Sequence, residues 1–116
     1  METKKILVAD DEAGIVQVIA AKLRNNGFEV ITADNGQDAF ELCIKTKPDI
    51  VIADYELPEI GGMELAEKIH QKKEFADTAI IILALKENEI AQKQLKTAGI
   101  RERLDKPFSP KEILSR

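Results

Sequence analysis

Two short apolar runs that end in carboxylates constrain this chain more than any other feature. Ile50-Val51-Ile52-Ala53 runs directly into Asp54, and Pro58 with Gly61-Gly62 follows as a turn. Apolar, mostly β-branched residues bounded by turn signals read as a strand buried on both faces, the kind that parallel sheets use beneath covering helices. Ile6-Leu7-Val8-Ala9 repeats the pattern and ends in Asp10-Asp11-Glu12. In open α/β sheets, ligands bind outside the carboxyl ends of the strands. If the two runs are parallel neighbours, Asp10, Asp11 and Asp54 converge on one small site.

The rest of the chain supplies the alternation that such a sheet requires. Lys4 to Ala9 reads as the first strand. Ile15, Val16, Ile19, Ala20 and Leu23 form a helical stripe over 13–26, closed by Asn25-Asn26-Gly27. A short strand over 28–33 leads to Asn35, a candidate N-cap for a helix from Gln37 to about Thr46 with Ala39, Phe40, Cys43 and Ile44 inward. After the central strand a helix is expected over 63–71, with Met63, Ala66 and Ile69 on one side. The polar stretch 72–78 precedes a buried strand over 79–84, a helix over 87–98 and a weaker strand over 100–105 that suits a sheet edge. Ser109 and Pro110 open a last helix of about two turns, short for a covering helix, so the chain is expected to be cut from a longer one. Five strand–helix alternations imply one α/β domain over residues 1–116, with a doubly wound parallel five-stranded sheet and right-handed crossovers.

Composition excludes several function classes. At 116 residues the chain holds one core. Its net charge of -4 leaves no excess of Lys or Arg to neutralise phosphates, which argues against direct nucleic-acid binding by this domain. The lone Cys43 has no partner for an internal disulfide, and no run approaches membrane-spanning length. The expectation is a cytoplasmic, soluble protein. His70, beside Gln71, Lys72 and Lys73, reads as solvated surface, and Tyr55 as loop packing.

Clustered carboxylates repel one another unless a cation or a proton neutralises them. Hard oxygen ligands of this kind suit Mg²⁺ (or Mn²⁺), which keeps several waters and is commonly completed by a phosphate. Lys106 closes the fifth strand as Asp54 closes the third. An ammonium and a divalent ion flanking one carboxylate would stabilise an arriving phosphoryl group, and Asp can itself be the nucleophile. Taken singly, each carboxylate is explained as well by capping a helix or loop. Jointly, with a Lys at a strand end, they favour a site.

These residues resemble a receiver domain of a two-component response regulator, of the chemotaxis type, over the whole chain. The resemblance rests on Ile6 to Glu12, on Asp54-Tyr55-Glu56-Leu57-Pro58 with Gly62, on Ala98-Gly99 and on Leu104-Asp105-Lys106-Pro107-Phe108. It implies a flavodoxin-like (βα)₅ fold with strand order 2-1-3-4-5. It implies Asp54 as acceptor of a phosphoryl group from a sensor histidine kinase or phosphotransfer protein. It further implies Mg²⁺ held by Asp11, Asp54 and the backbone carbonyl of Glu56, and through water by Asp10. Lys106 would contact the phosphoryl oxygens, through a Lys106–Pro107 bond that is commonly cis in the family. A downstream output domain or effector protein would read the modified state. Such a domain is a signalling module and at most catalyses its own phosphotransfer and dephosphorylation.

Two positions depart from the family pattern. Ala84 stands where a Thr or Ser hydroxyl contacts the phosphoryl group, and Arg103 stands where a Tyr or Phe swings inward on activation. The pair raises an alternative: a degenerate receiver that binds partners without being phosphorylated. Glu56 and Lys86, two residues beyond Asp54 and Ala84, occupy positions that tune hydrolysis in the family. Their opposite charges could bridge over the site. The acidic pair of DNA-binding relatives that dimerise through the last strand is replaced here by Arg101-Glu102. A Mg²⁺-dependent aspartyl-phosphate hydrolase lacks its Thr or Ser motif here, and Asp10-Asp11-Glu12 would repel the phosphate of a flavin mononucleotide.

Overall fold

The computed structural model describes residues 4–75, 78–85 and 99–106; for 85, 102 and 104–106 the description is of the backbone alone. The expected helices over 87–98 and 109–116, together with Lys86 and Pro107, lie outside the described residues.

Strands β1 (Lys5–Ala9), β2 (Glu29–Ala33), β3 (Ile50–Asp54), β4 (Ala79–Leu85) and β5 (Glu102–Lys106) form one sheet in the order β2-β1-β3-β4-β5. Every pairing is parallel. Helices α1 (Ala13–Asn25), α2 (Gly36–Thr46) and α3 (Gly62–His70) connect the first four strands, with a 3-10 turn at Lys73–Phe75 before β4.

The two periodicities of the sequence meet on the two faces of the sheet. Side chains alternate along a strand, so Ile6, Val8, Ile52, Ile81 and Leu83 share one face, where Ile19, Ala20 and Leu23 of α1 cover them. Leu7, Ala9, Val51, Ala53, Ile80 and Ile82 share the other, beneath Ala39 and Cys43 of α2 and Leu65, Ala66 and Ile69 of α3. This two-sided cover explains why β1, β3 and β4 read as unbroken apolar runs. Leu7, Val51 and Ile82 are fully buried, and each such side chain contributes about 1.5–3 kcal/mol of transfer free energy.

Several details differ from expectation. The last strand runs from Glu102 to Lys106, and Ile100 is a buried lead-in to it. Ile44 is 38% exposed, because α2 turns Gly36, Ala39 and Cys43 to the sheet and leaves Ile44 at its margin. Phe75, in the middle of the polar stretch, is 2% exposed and closes the core beneath the 3-10 turn. His70 is half-buried: its Nε2 lies 3.0 Å from the carbonyl oxygen of Thr78, so it donates there, and its ring fills the space beside Gly99. The expected N-cap is present, with the Asn35 side chain accepting from the Asp38 N–H at 2.8 Å.

Candidate functional site

The site is built by the register of the central strands. Ala9 pairs with Ala33 on one side and Ala53 on the other, so Asp10 and Asp54 leave neighbouring strands at the same level. Their direction follows from alternation: Asp10 continues the Ile6–Val8 face, and Asp54 the Ile52 face. Backbone bonds hold both ends of the arrangement. The Asp10 N–H donates to the Ala33 carbonyl at 3.1 Å, and the Tyr55 N–H to the Leu83 carbonyl at 2.8 Å.

The three expected carboxylates come together. Asp10, Asp11 and Asp54 each offer an oxygen, and these oxygens all lie within 4.8 Å of one another. Asp10 is 1% exposed and Asp54 6%, while Asp11 opens to solvent. Such oxygens fit a small hard divalent cation, with the exposed side left for water or an incoming ligand. Helix capping does not account for them. The N-cap of α1 is Glu12, without a side-chain capping bond, and Asp10 Oδ1 accepts from the Glu12 N–H at 2.9 Å.

The loop after β3 is pinned close to Asp54. The Gly62 N–H donates to the Tyr55 carbonyl at 3.1 Å, and Gly62 itself packs against the carbonyl of Asp54. A side chain at residue 62 would collide with that carbonyl, so α3 can begin here only on glycine. Tyr55 packs against the α2–α3 core and Glu56 faces solvent.

On the far side of the sheet edge, β4 and β5 place the remaining candidates. Lys106 ends β5 in register with Leu85, just past the pairing of Ala84 with Asp105. Ala84 is 1% exposed, and Arg103, half-buried, pairs with Ile82. The Lys106 side chain and the expected Glu56–Lys86 bridge lie outside what is described. A cleft of about 760 Å³ also opens beside Asp10 and Asp11, running over the β2 edge between Val16 of α1 and Leu42 of α2. It does not include Asp54, so it adjoins the acidic cluster rather than enclosing it. Cys43, fully buried under β1, has its thiol pKa pushed up to about 11 by burial, which makes it a packing residue and not a nucleophile.

A parallel five-stranded sheet with an acidic trio at its carboxyl edge defines the class, and comparison with known proteins agrees. The family model of the response regulator receiver domain matches residues 6–116, and the chain belongs to that family. Phosphorylation on an aspartate is characteristic of its members. Among its relatives, the chain is 37% identical to the phosphate regulon transcriptional regulatory protein PhoB of Pseudomonas aeruginosa, over 100% of this chain and 51% of that protein. It is 35% identical to the alkaline phosphatase synthesis transcriptional regulatory protein PhoP of Bacillus subtilis, over 97% of this chain and 46% of that protein. The chain thus spans about half the length of these curated relatives. In structure it resembles the chemotaxis response regulator CheY4 of Vibrio cholerae, with a TM-score of 0.91 and 28% identity, over 98% of this chain and 95% of that one. Among the described residues, no helix is long and apolar enough to cross a membrane.

Proposed function

We propose that this receiver domain accepts a phosphoryl group on Asp54 from a phosphohistidine of a sensor histidine kinase or phosphotransfer protein. The observation that carries the reading is the meeting of the Asp10, Asp11 and Asp54 oxygens within 4.8 Å at the carboxyl edge of the sheet. Asp11, Asp54 and the backbone carbonyl of Glu56 would hold Mg²⁺ (or Mn²⁺), with Asp10 acting through water. The ion, when bound, supplies positive charge against the phosphoryl oxygens. A carboxylate oxygen of Asp54 attacks phosphorus, the P–N bond breaks, its electron pair leaves with the imidazole, and an acyl phosphate forms. Lys106 contacts the transferred oxygens from β5.

Residues 1–116 act as one receiver unit, whose output is an attached domain or a separate effector. Two relatives named as transcriptional regulators, each about twice as long, support such an output. The net charge of -4 argues against a nucleic-acid surface on this domain, so a DNA-binding output would lie on another segment. The working compartment is the cytoplasm.

Coupling of the modified state to β4 and β5 is weak or altered. Ala84 cannot donate, so the phosphorylated form loses one hydrogen bond to a charged group, about 1.5–3 kcal/mol. Arg103 cannot swing inward as an aromatic ring does. The same pair favours a second reading, an interaction module that works without phosphorylation. Acetyl phosphate with Mg²⁺ separates the two readings: intact-mass spectrometry should show one added phosphoryl group, lost when a chelator is present. No added mass would leave the second reading standing. Spectra with and without beryllofluoride then measure the coupling, and full-sized shifts across residues 84 to 105 would refute weak coupling.

A further inference from the structure

The loop that carries the Glu56 carbonyl is held from a direction that the site itself does not reveal. Its two ends are tied to the sheet and to α3, through the Tyr55 N–H on Leu83 and the Gly62 N–H on Tyr55. Its middle is tied to α2. The Gly36 N–H, at the first residue of that helix, donates to the Pro58 carbonyl at 3.1 Å, and the Ile60 N–H donates to the same oxygen at 2.8 Å. Between the anchors at Tyr55 and Pro58 only Glu56 and Leu57 remain, and Leu57 is buried. The direction of the Glu56 carbonyl is therefore constrained from both sides, by the anchor at Tyr55 and by where Pro58 and Ile60 are held.

Gly36 sets that position by what it lacks. A Cβ on residue 36 would run into the carbonyl oxygen of Ile60 and lie 2.7 Å from both its carbonyl carbon and its Cβ. Real Cβ atoms essentially never approach within 3.0 Å, and two of the three obstructing atoms are backbone, so the loop would have to move. Gly14 provides the contrast. It lies in the first turn of α1, and a Cβ there meets nothing within 4 Å.

We infer that Gly36 is a positioning residue for the acceptor site: by admitting the Ile60 backbone against the start of α2, it fixes the loop that presents the Glu56 carbonyl to a divalent cation. The inference rests on the proposed Mg²⁺ site. It adds that a residue on the other side of the β2–α2 turn, with no contact to the ion, governs how well that site forms.

Tyr55 makes this measurable, because the chain has one Tyr and no Trp, so its ultraviolet fluorescence arises beside Asp54. Mg²⁺ is titrated into the wild type, Gly36→Ala, Gly14→Ala and Ile60→Ala while that emission is followed, and backbone amide spectra are recorded without metal. Gly36→Ala should bind Mg²⁺ about 10–100-fold more weakly, the range seen when groups that orient a ligand are disturbed. Its metal-free amide signals at Tyr55 and Glu56 should shift. Gly14→Ala should match the wild type in both readouts. Unchanged affinity and unchanged amide signals in Gly36→Ala would overturn the inference, as would equal losses in Gly14→Ala. If Gly36→Ala does not fold, Ile60→Ala decides, since it removes the buried side chain that seats the same loop in the core without adding an atom; wild-type affinity with unshifted Tyr55 and Glu56 amide signals there would overturn it too. If the wild type shows no Mg²⁺ response, the proposed function fails, and the metal-free amide signals of the variants still decide the role of Gly36.

Discussion

The carboxyl edge of the sheet has two halves that obey different rules. On the β1–β3 side, two buried aspartates and an exposed one converge, and backbone bonds from β2 and β4 hold their strands in register. On the β4–β5 side, Leu83, the register partner of Asp54, is followed by the buried Ala84, and the next strand offers a half-buried arginine at Arg103. The first half gathers the three carboxylates of the proposed acceptor site, while the proposed phosphoryl contact, Lys106, ends β5 in the other half. At the proposed switch positions the second half offers Ala84, without a hydroxyl, and Arg103, without an aromatic ring. Under the proposed function, acceptance and readout would be separable properties of one sheet, with Lys106 the one residue of β5 that serves acceptance.

Substituting Asp54, the proposed acceptor, should give the largest effect. Asp54→Asn should abolish labelling by acetyl phosphate altogether, and any label retained on Asp10 or Asp11, found by peptide mapping, would break the assignment of the first half. Ala84→Thr tests the second half. Restoring one hydrogen bond to a charged group should be worth about 1.5–3 kcal/mol, roughly a tenfold to hundredfold rise in the active-to-inactive ratio. Beryllofluoride-induced spectral shifts on β4 and β5 should grow accordingly, with Asp54 labelling unaltered. If Thr at residue 84 changed nothing, the missing hydroxyl would not be what separates the halves.

The smallest effect concerns the core under the acceptor half. The buried Cys43 thiol titrates near 11 in the fold against an ordinary 9.0. Its folded pKa is raised, so its contribution is intact below about pH 9 and declines as pH climbs toward 11, while the unfolded chain ionises first. The loss is on the order of 1–3 kcal/mol. Urea melts at a series of alkaline pH values would show it, and Cys43→Ala should flatten that slope in the same window.

Much of this was legible in the residue order because it is local. The runs Ile6 to Ala9 and Ile50 to Ala53 show their burial in four residues each, and Asn35 shows its capping role three residues from its partner Asp38. The convergence of Asp10, Asp11 and Asp54 follows from two strands being adjacent, which the alternating pattern implies. What escaped depends on partners distant in the chain. Phe75 sits among polar residues and is drawn inward by a core it meets only after folding. His70 reads as surface until Thr78 and Gly99 close over it. Ile44 keeps the helical spacing of a core residue yet lies at the edge of what α2 buries. Gly36 looks like an ordinary turn glycine; its need for empty space is visible only when the β3–α3 loop arrives beside it.

The location of β3 has a consequence for how the molecule breathes. That strand is bonded on both sides, by β1 and β4, whereas β2 and β5 stand at the two ends of the strand order among the described residues. Fraying begins where backbone groups face water and is rarest where they are doubly enclosed. Amide protons of Val51 to Ala53 should thus exchange with solvent only when the entire domain opens, well after those on the outer strands. Asp54, the proposed acceptor, would thus be mounted on the longest-lived part of the sheet, and its address would persist through every lesser fluctuation.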